Sequence, residues 1–302
     1  MTGGTPSAAE AAPRVVVITG ASSGIGLAAA TQLAERGDLL VLSSRSKESL
    51  AAAEATCRAA GAGDVCVVVS DVADAAAVER VADLALSTFG RLDAWVHTAA
   101  VLAYGRVEEV PPEVFRQVID VNVVGSANVA RTALRHFRGQ RAGTLVLTSS
   151  LLGEITTPFM GAYVTSKWAV RGLARVLSIE NRDLPDVHVC VVSPGAVDTP
   201  VYRQAGSYVG VVGRPPPPVD RVDKVARALV QCLDDPSSRV SVGPLNQLMR
   251  FGFTAVPWAF DRLVTPFMRL GGLTREPVEP NPGNVFQPRP EGERASGGYG
   301  RI

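Results

Sequence analysis

Metal-binding residues are scarce in this chain: it has four cysteines and three histidines in 302 residues. Cys57, Cys66, Cys190 and Cys232 are scattered without metal-ligand spacing, and the histidines are equally dispersed, so no metal site is supported. The cysteines read as reduced, mostly buried residues of a cytosolic protein. An excess of one charge is also missing. Thirty Lys and Arg balance 29 Asp and Glu, a net charge of +1, which argues against a nucleic-acid surface. No uninterrupted apolar run reaches membrane-spanning length. The opening Met1–Pro13 lacks an apolar run and reads as a loose tail, neither signal peptide nor anchor. With 46% hydrophobic residues the chain can bury a large core, and it is somewhat long for one domain.

Strand-like and helix-like segments alternate. Arg14–Thr19, Leu39–Leu42, Val65–Val69, Leu92–His97, Thr144–Thr148, Val187–Val192 and Arg239–Val242 are short, apolar and rich in β-branched residues. Between them the pattern predicts helices over 27–36, 47–60, 74–89, from Pro111-Pro112 to about Arg138, 162–181 and 220–233. This alternation implies an α/β fold: one Rossmann-type, doubly wound parallel sheet with helices on both faces. Ligands of such sheets sit at the carboxyl ends of the strands, near the topological switch point.

The first strand runs into Gly20-Ala21-Ser22-Ser23-Gly24-Ile25-Gly26 and then a helix. Strand, glycine turn and helix together read as a nucleotide loop, the alternative being a strand-to-helix turn with no ligand. Glycines allow a tight turn and close approach of backbone to pyrophosphate, while the helix start offers free N–H groups and partial positive charge. The spacing is Thr-Gly-x-x-x-Gly-x-Gly rather than the commoner Gly-x-Gly-x-x-Gly.

Tyr163 and Lys167 are four residues apart, which on a helix puts both side chains on one face. A phenol with a pKa near 10 is a poor proton-transfer group at neutral pH. A fixed ammonium beside it is expected to lower that value, at about 1.4 kcal/mol per unit. Such a pair could exchange a proton with an alcohol oxygen while hydride moves to or from the carbon.

These motifs, with Asn122, Ser150 thirteen residues before Tyr163, and Ser193-Pro194-Gly195, occur in the order and at about the spacing of one family. Over roughly residues 14–243 the chain resembles the short-chain dehydrogenases/reductases. The resemblance implies that Tyr163 is the general acid in reduction and the base in oxidation. It implies that Lys167 tunes Tyr163 and binds the nicotinamide ribose, and that Ser150 holds the substrate oxygen. Asn122 would relay protons to Lys167 through water; otherwise it is a polar residue bonding across its helix. The cofactor would meet Gly20, Ser22, Ser23, Gly24, Ile25 and Gly26 in the first loop, Asp71-Val72 at the adenine, Ala99 along the ribose, and Pro194, Gly195, Val197 and Thr199 at the carboxamide. Asp71 could instead cap a helix. Dimers or tetramers built through the helices carrying Asn122 and Tyr163 are the usual assembly.

The second strand bears on cofactor choice. It ends Ser43-Ser44-Arg45-Ser46, with no acidic residue to accept from a ribose 2′-OH. Arg45 suits a 2′-phosphate, so NADP(H) is expected, with Ser44 and Arg45 on that phosphate; the alternative is a solvated surface arginine. The fourth strand departs from the family. It ends His97-Thr98-Ala99-Ala100 where Asn-Asn-Ala-Gly is usual, and His97 could replace the first Asn because its ring both donates and accepts.

On the substrate side, Val201–Val219 reads as a mobile lid. Leu151, Leu152, Pro158, Phe159 and Met160 are expected either to line an apolar pocket or simply to pack. No Lys or Arg is placed to hold a carboxylate, so a medium or large apolar ketone, aldehyde or alcohol is expected. Residues 244–302 form an extension: an apolar, aromatic stretch to Leu270, then a Pro- and Gly-rich arm or disordered tail from Thr274. Pro257 and Pro266 oppose a membrane span, although Arg250, Arg262 and Arg269 would allow surface contact; packing on the substrate side or on another subunit is preferred. A low-turnover NADP(H)-binding sensor or scaffold is the alternative to an enzyme.

Overall fold

The computed structural model describes residues 12–300, so most of the amino-terminal tail lies outside the described residues. The strands are β1 (Val15–Thr19), β2 (Leu39–Ser44), β3 (Asp64–Val69), β4 (Ala94–His97), β5 (Ala103–Tyr104), β6 (Gly143–Thr148), β7 (Val187–Pro194), β8 (Gly206–Ser207), β9 (Val211–Gly213), β10 (Val240–Val242) and β11 (Leu273–Pro277). The α-helices are α1 (Gly24–Ala34), α2 (Lys47–Ala60), α3 (Ala75–Phe89), α4 (Pro112–Ile119), α5 (Gly125–Gln140), α6 (Gly161–Glu180), α7 (Val201–Gln204), α8 (Val222–Asp234), α9 (Asn246–Ala255) and α10 (Pro257–Phe267).

Seven strands form one parallel sheet in the order β10-β7-β6-β4-β1-β2-β3. The chain leaves β1 towards β2 on one side and returns to β4 on the other, so the switch point lies between β1 and β4. This is the doubly wound Rossmann-type sheet. Because helices cover both faces, Val15, Val16, Val17 and Ile18 of β1 are all fully buried, and the strand is apolar throughout rather than alternating. At the sheet edge β3 does alternate, leaving Val67 and Val69 exposed. The side chains of α1, α2 and α8 form the core on one face, and those of α3, α4, α5 and α6 form it on the other.

Local chemistry sets the helix ends. Ser46 Oγ accepts from Ser49 N (3.2 Å) at the start of α2, and Asp74 Oδ1 accepts from Ala76 N (2.9 Å) at the start of α3. Gly61 and Gly90 end these helices at φ 103° and 75°, in the left-handed region that glycine alone enters freely.

Three regions differ from the sequence pattern. The single helix expected up to Arg138 is divided by a π turn, Asp120–Val124, which contains Asn122. The presumed lid contains α7, β8 and β9; β8 pairs with β5, and β9 pairs with β11. Beyond β10, α9 and α10 lie over the carboxyl end of the sheet. Phe260, Val264 and Met268 pack there on Leu102, Tyr104, Ile155 and Met160. The buried carboxylate of Glu154 anchors this cover, with Arg250 of α9 at 2.8 Å and Arg171 of α6 at 3.6 Å. No described helix is long and apolar enough to cross a membrane.

Candidate active site

A cavity of about 260 Å³ opens at the carboxyl ends of the strands, on the switch point. Every residue assigned above to the cofactor lines it, from Gly20–Gly26 through Ser44, Arg45, Asp71, Val72 and Ala99 to Pro194, Gly195, Val197 and Thr199, as do Ser150, Tyr163 and Lys167. Asn122 does not, although its neighbour Val121 does.

The first loop is a turn so tight that it requires glycine. Gly20 has φ 84°, and a Cβ there would come within 2.5 Å of Ala99 N; a Cβ at Gly26 would come within 2.1 Å of Gly20 O. Side chains at these positions would collide with the protein's own backbone. Thr98, which stands where the family has Asn, ties the loop to β4 by donating from Oγ1 to the carbonyls of Thr19 (3.0 Å) and Gly20 (3.2 Å). Asp71 accepts from Ala73 N (2.9 Å) while lining the cavity, whereas the helix cap belongs to Asp74.

His97 is buried and makes a one-directional chain of hydrogen bonds. Trp95 Nε1 donates to Thr19 Oγ1 (3.3 Å), and that hydroxyl lies 2.8 Å from His97 Nδ1. At the other side, Nε2 lies 3.2 Å from Ser126 Oγ, which donates to the Asn122 carbonyl (2.6 Å). Ser126 spends its one proton on the Asn122 carbonyl, so Nε2 carries a ring proton, and in the neutral ring Thr19 donates to Nδ1. Burial, assisted by the Lys167 charge, pushes the ring's pKa down to about 3.

The Asn122 side chain is fully engaged. Oδ1 accepts from Val101 N (2.9 Å), and Nδ2 donates to Val101 O (2.9 Å) and Ser166 Oγ (2.9 Å). It bonds across elements, holding the segment after β4 to α6, and its main-chain carbonyl, which already accepts from Ser126 Oγ, has one lone pair left to meet a water.

Ser150 begins a short 3-10 turn, with Oγ accepting from Leu152 N (3.1 Å). Lys167 Nζ donates to Thr148 O (3.0 Å) and sits 5.5 Å from the centre of the Tyr163 ring. The electrostatics reverse the sequence expectation for this pair. Burial pushes Tyr163 up to about 12, opposed by its hydrogen bond with Ser150, and brings Lys167 down to about 8. Desolvation therefore holds the phenol neutral, while Lys167, at about 8, keeps its charge at neutral pH.

The far end of the cavity is apolar, lined by Leu151, Leu152, Ile155, Met160, Met249, Phe267 and Met268. Pro158 and Phe159 do not reach it. Phe159 has φ 66° and faces Arg269, whose guanidinium lies 5.9 Å from the ring centre, in a separate cleft that Tyr208 also lines. Sequence reading missed Tyr104, Gln204, Asn284 and Glu293, all of which line the main cavity. Tyr104 and Gln204 fall in segments without a motif, and the other two lie in the carboxyl-terminal arm.

Comparison with known proteins agrees with this geometry. Residues 14–208 match the family model described as short chain dehydrogenase. The chain is 34% identical over 238 residues to 11-beta-hydroxysteroid dehydrogenase A of Sesamum indicum, covering 76% of this chain and 68% of that one. Among solved structures it resembles an alcohol dehydrogenase of Thermococcus sibiricus complexed with 5-hydroxy-NADP, at TM-score 0.64 and 33% identity over 76% of this chain and 94% of that one. It also resembles an NAD+-bound xylitol dehydrogenase, at TM-score 0.67 and 26% identity over 76% and 97%. The chain belongs to the short-chain dehydrogenase family.

Proposed function

We propose that this protein is an NADP(H)-dependent oxidoreductase that interconverts a carbonyl and a secondary alcohol on a medium or large apolar substrate. The observation that carries this reading is the meeting of Ser150, Tyr163 and Lys167 with the glycine loop in one cavity. When bound, the dinucleotide supplies or accepts the hydride. Tyr163 donates the proton to the substrate oxygen in reduction and removes it in oxidation. Ser150 orients that oxygen through its hydroxyl. Lys167 binds the ribose, and its charge beside the phenol offsets the burial that holds Tyr163 neutral. Asn122 fixes α6 with its side chain and holds a relay water with its carbonyl.

NADP(H) is favoured by Arg45. Its Nη1 donates to Val285 O (3.1 Å) and Phe286 O (3.5 Å), and its Nη2 to Asn284 O (2.6 Å). Nε and the second hydrogen of Nη2 have no protein partner among the described residues, and that pair is the fork that grips phosphate side-on. The apolar far end supports the substrate class, as does the likeness to a hydroxysteroid dehydrogenase. Assembly as a homodimer or homotetramer is supported by exposed Val124 beside α5 and by Trp168, Val176 and Ile179 on α6.

A screen of apolar ketones and alcohols with NADPH or NADP+ tests the reading, with Tyr163→Phe as control. We expect turnover by the wild type and a loss of about 10²–10⁴-fold in the variant, with dinucleotide affinity retained. Equal activity of the two would refute the assignment of Tyr163.

A further inference from the structure

The carboxyl-terminal arm crosses the mouth of the cavity and is fastened on both sides of it. On the β2 side, Arg45 holds the carbonyls of Asn284 and Val285, and Val285 is fully buried in the core. In the middle, Gln204 exchanges bonds with Asn284, whose N donates to Gln204 O (2.8 Å) and whose Nδ2 donates to Gln204 Oε1 (3.2 Å); Gln204 Nε2 also donates to Arg289 O (3.2 Å). Directly over the glycine loop, Gly24 N donates to Arg294 O (2.9 Å). On the β7 side, Asp198 is the latch. Oδ2 accepts from Ser296 Oγ (2.7 Å), Oδ1 from Tyr299 N (2.7 Å), and its carbonyl from Gly297 N (3.2 Å). The Tyr299 ring is buried edge-on against Tyr202, 6.1 Å between centres.

The arm also presents ligand chemistry to the cavity. Asn284 and Glu293 both line it, and Asn284 Oδ1 and Glu293 Oε2 are buried acceptors without a hydrogen-bond partner among the described residues. A buried acceptor left unsatisfied is costly, so two on one wall of one cavity call for a ligand that brings donors. Ribose hydroxyls are such donors.

Resting on the dinucleotide reading of this cavity, we propose that the arm is the outer wall of the cofactor site. Asn284 and Glu293 accept from ribose hydroxyls, and the arm must unlatch from Asp198 before the dinucleotide can enter or leave. The cofactor is then retained across turnovers, and its exchange is limited by the arm.

The test is the rate at which bound NADPH leaves the full-length protein, followed by its fluorescence after an NADP+ chase in a stopped-flow instrument. We expect Asp198→Ala, which removes two of the three latch bonds, to speed dissociation at least tenfold. In the wild type, saturating NADPH should slow tryptic cleavage after the exposed Arg294 by a similar factor, a readout independent of any variant's folding. Unchanged dissociation together with unchanged cleavage would overturn the proposal. So would faster association in Asp198→Ala with dissociation unaltered, which would make the arm a blocker rather than a wall. Failure of the wild type to bind NADPH or NADH would instead sink the dinucleotide reading, and the strap with it.

Discussion

His97 carries a stability consequence at the level of a single residue. In the unfolded chain an imidazole titrates near 6.5; here it is held near 3. The unfolded state therefore binds the extra proton between these values, and stability rises with pH across that window. His97 thus leaves stability intact above about pH 6.5 and erodes it as the pH falls towards 3, by on the order of 5 kcal/mol at the limit. We expect His97→Asn to flatten the acid limb of an unfolding-versus-pH curve while changing stability little at pH 7.5. An unchanged acid limb would show that the ring is not buried and neutral. The same region marks what a sequence can disclose. His97 was legible as a stand-in for Asn because it ends the fourth strand where the resembled family has Asn, and its ring both donates and accepts. The partners that fix its tautomer, Thr19 and Ser126, lie 78 and 29 residues away and carry no local signal.

Among the elements, the alternation of apolar strands and helices disclosed the sheet, because buried parallel strands are apolar throughout and helices have their own period. The two small sheets were not legible: strands of two to five residues, as in β5, β8, β9 and β11, carry too little periodicity. The π turn at Asn122 was hidden for another reason. It carries no local signal, and the bonds of its Asn122 side chain run to Val101 and Ser166, 21 and 44 residues away. The cover formed by α9 and α10 depends on Glu154, which is buried and faces two arginines. Removing one side of such a group leaves charge unpaired. We expect Glu154→Ala to destabilise the protein by about 2–4 kcal/mol in denaturant unfolding, and Arg250→Ala to cost a comparable amount, because it leaves the buried carboxylate with Arg171 alone. A smaller effect for Glu154→Ala would mean that the cover is held by apolar contacts alone.

For the whole molecule, the exposed apolar residues of α6 have a testable meaning. Val176 and Ile179 are each nearly half exposed and lie three apart, on one face of the helix. We expect the wild type to sediment as a dimer or tetramer and Val176→Glu to shift it towards the monomer. A monomeric wild type would leave this face without a partner copy. At this scale the arm was the least legible part. A Pro- and Gly-rich segment has the composition of a disordered tail, and its order comes from bonds to Arg45, Gln204 and Asp198, as much as 240 residues distant. The most direct test of the proposed activity is a fluorescence titration of the wild type and Arg45→Ala with NADPH and NADH. We expect the wild type to bind NADPH more tightly, and Arg45→Ala to lose about 10–100-fold more affinity for NADPH than for NADH, the size of a charge-assisted pair of hydrogen bonds, on top of a smaller loss common to both from loosening the arm. Equal loss for both dinucleotides would assign Arg45 to the arm rather than to a 2′-phosphate, and absence of binding by the wild type would contradict the oxidoreductase reading itself.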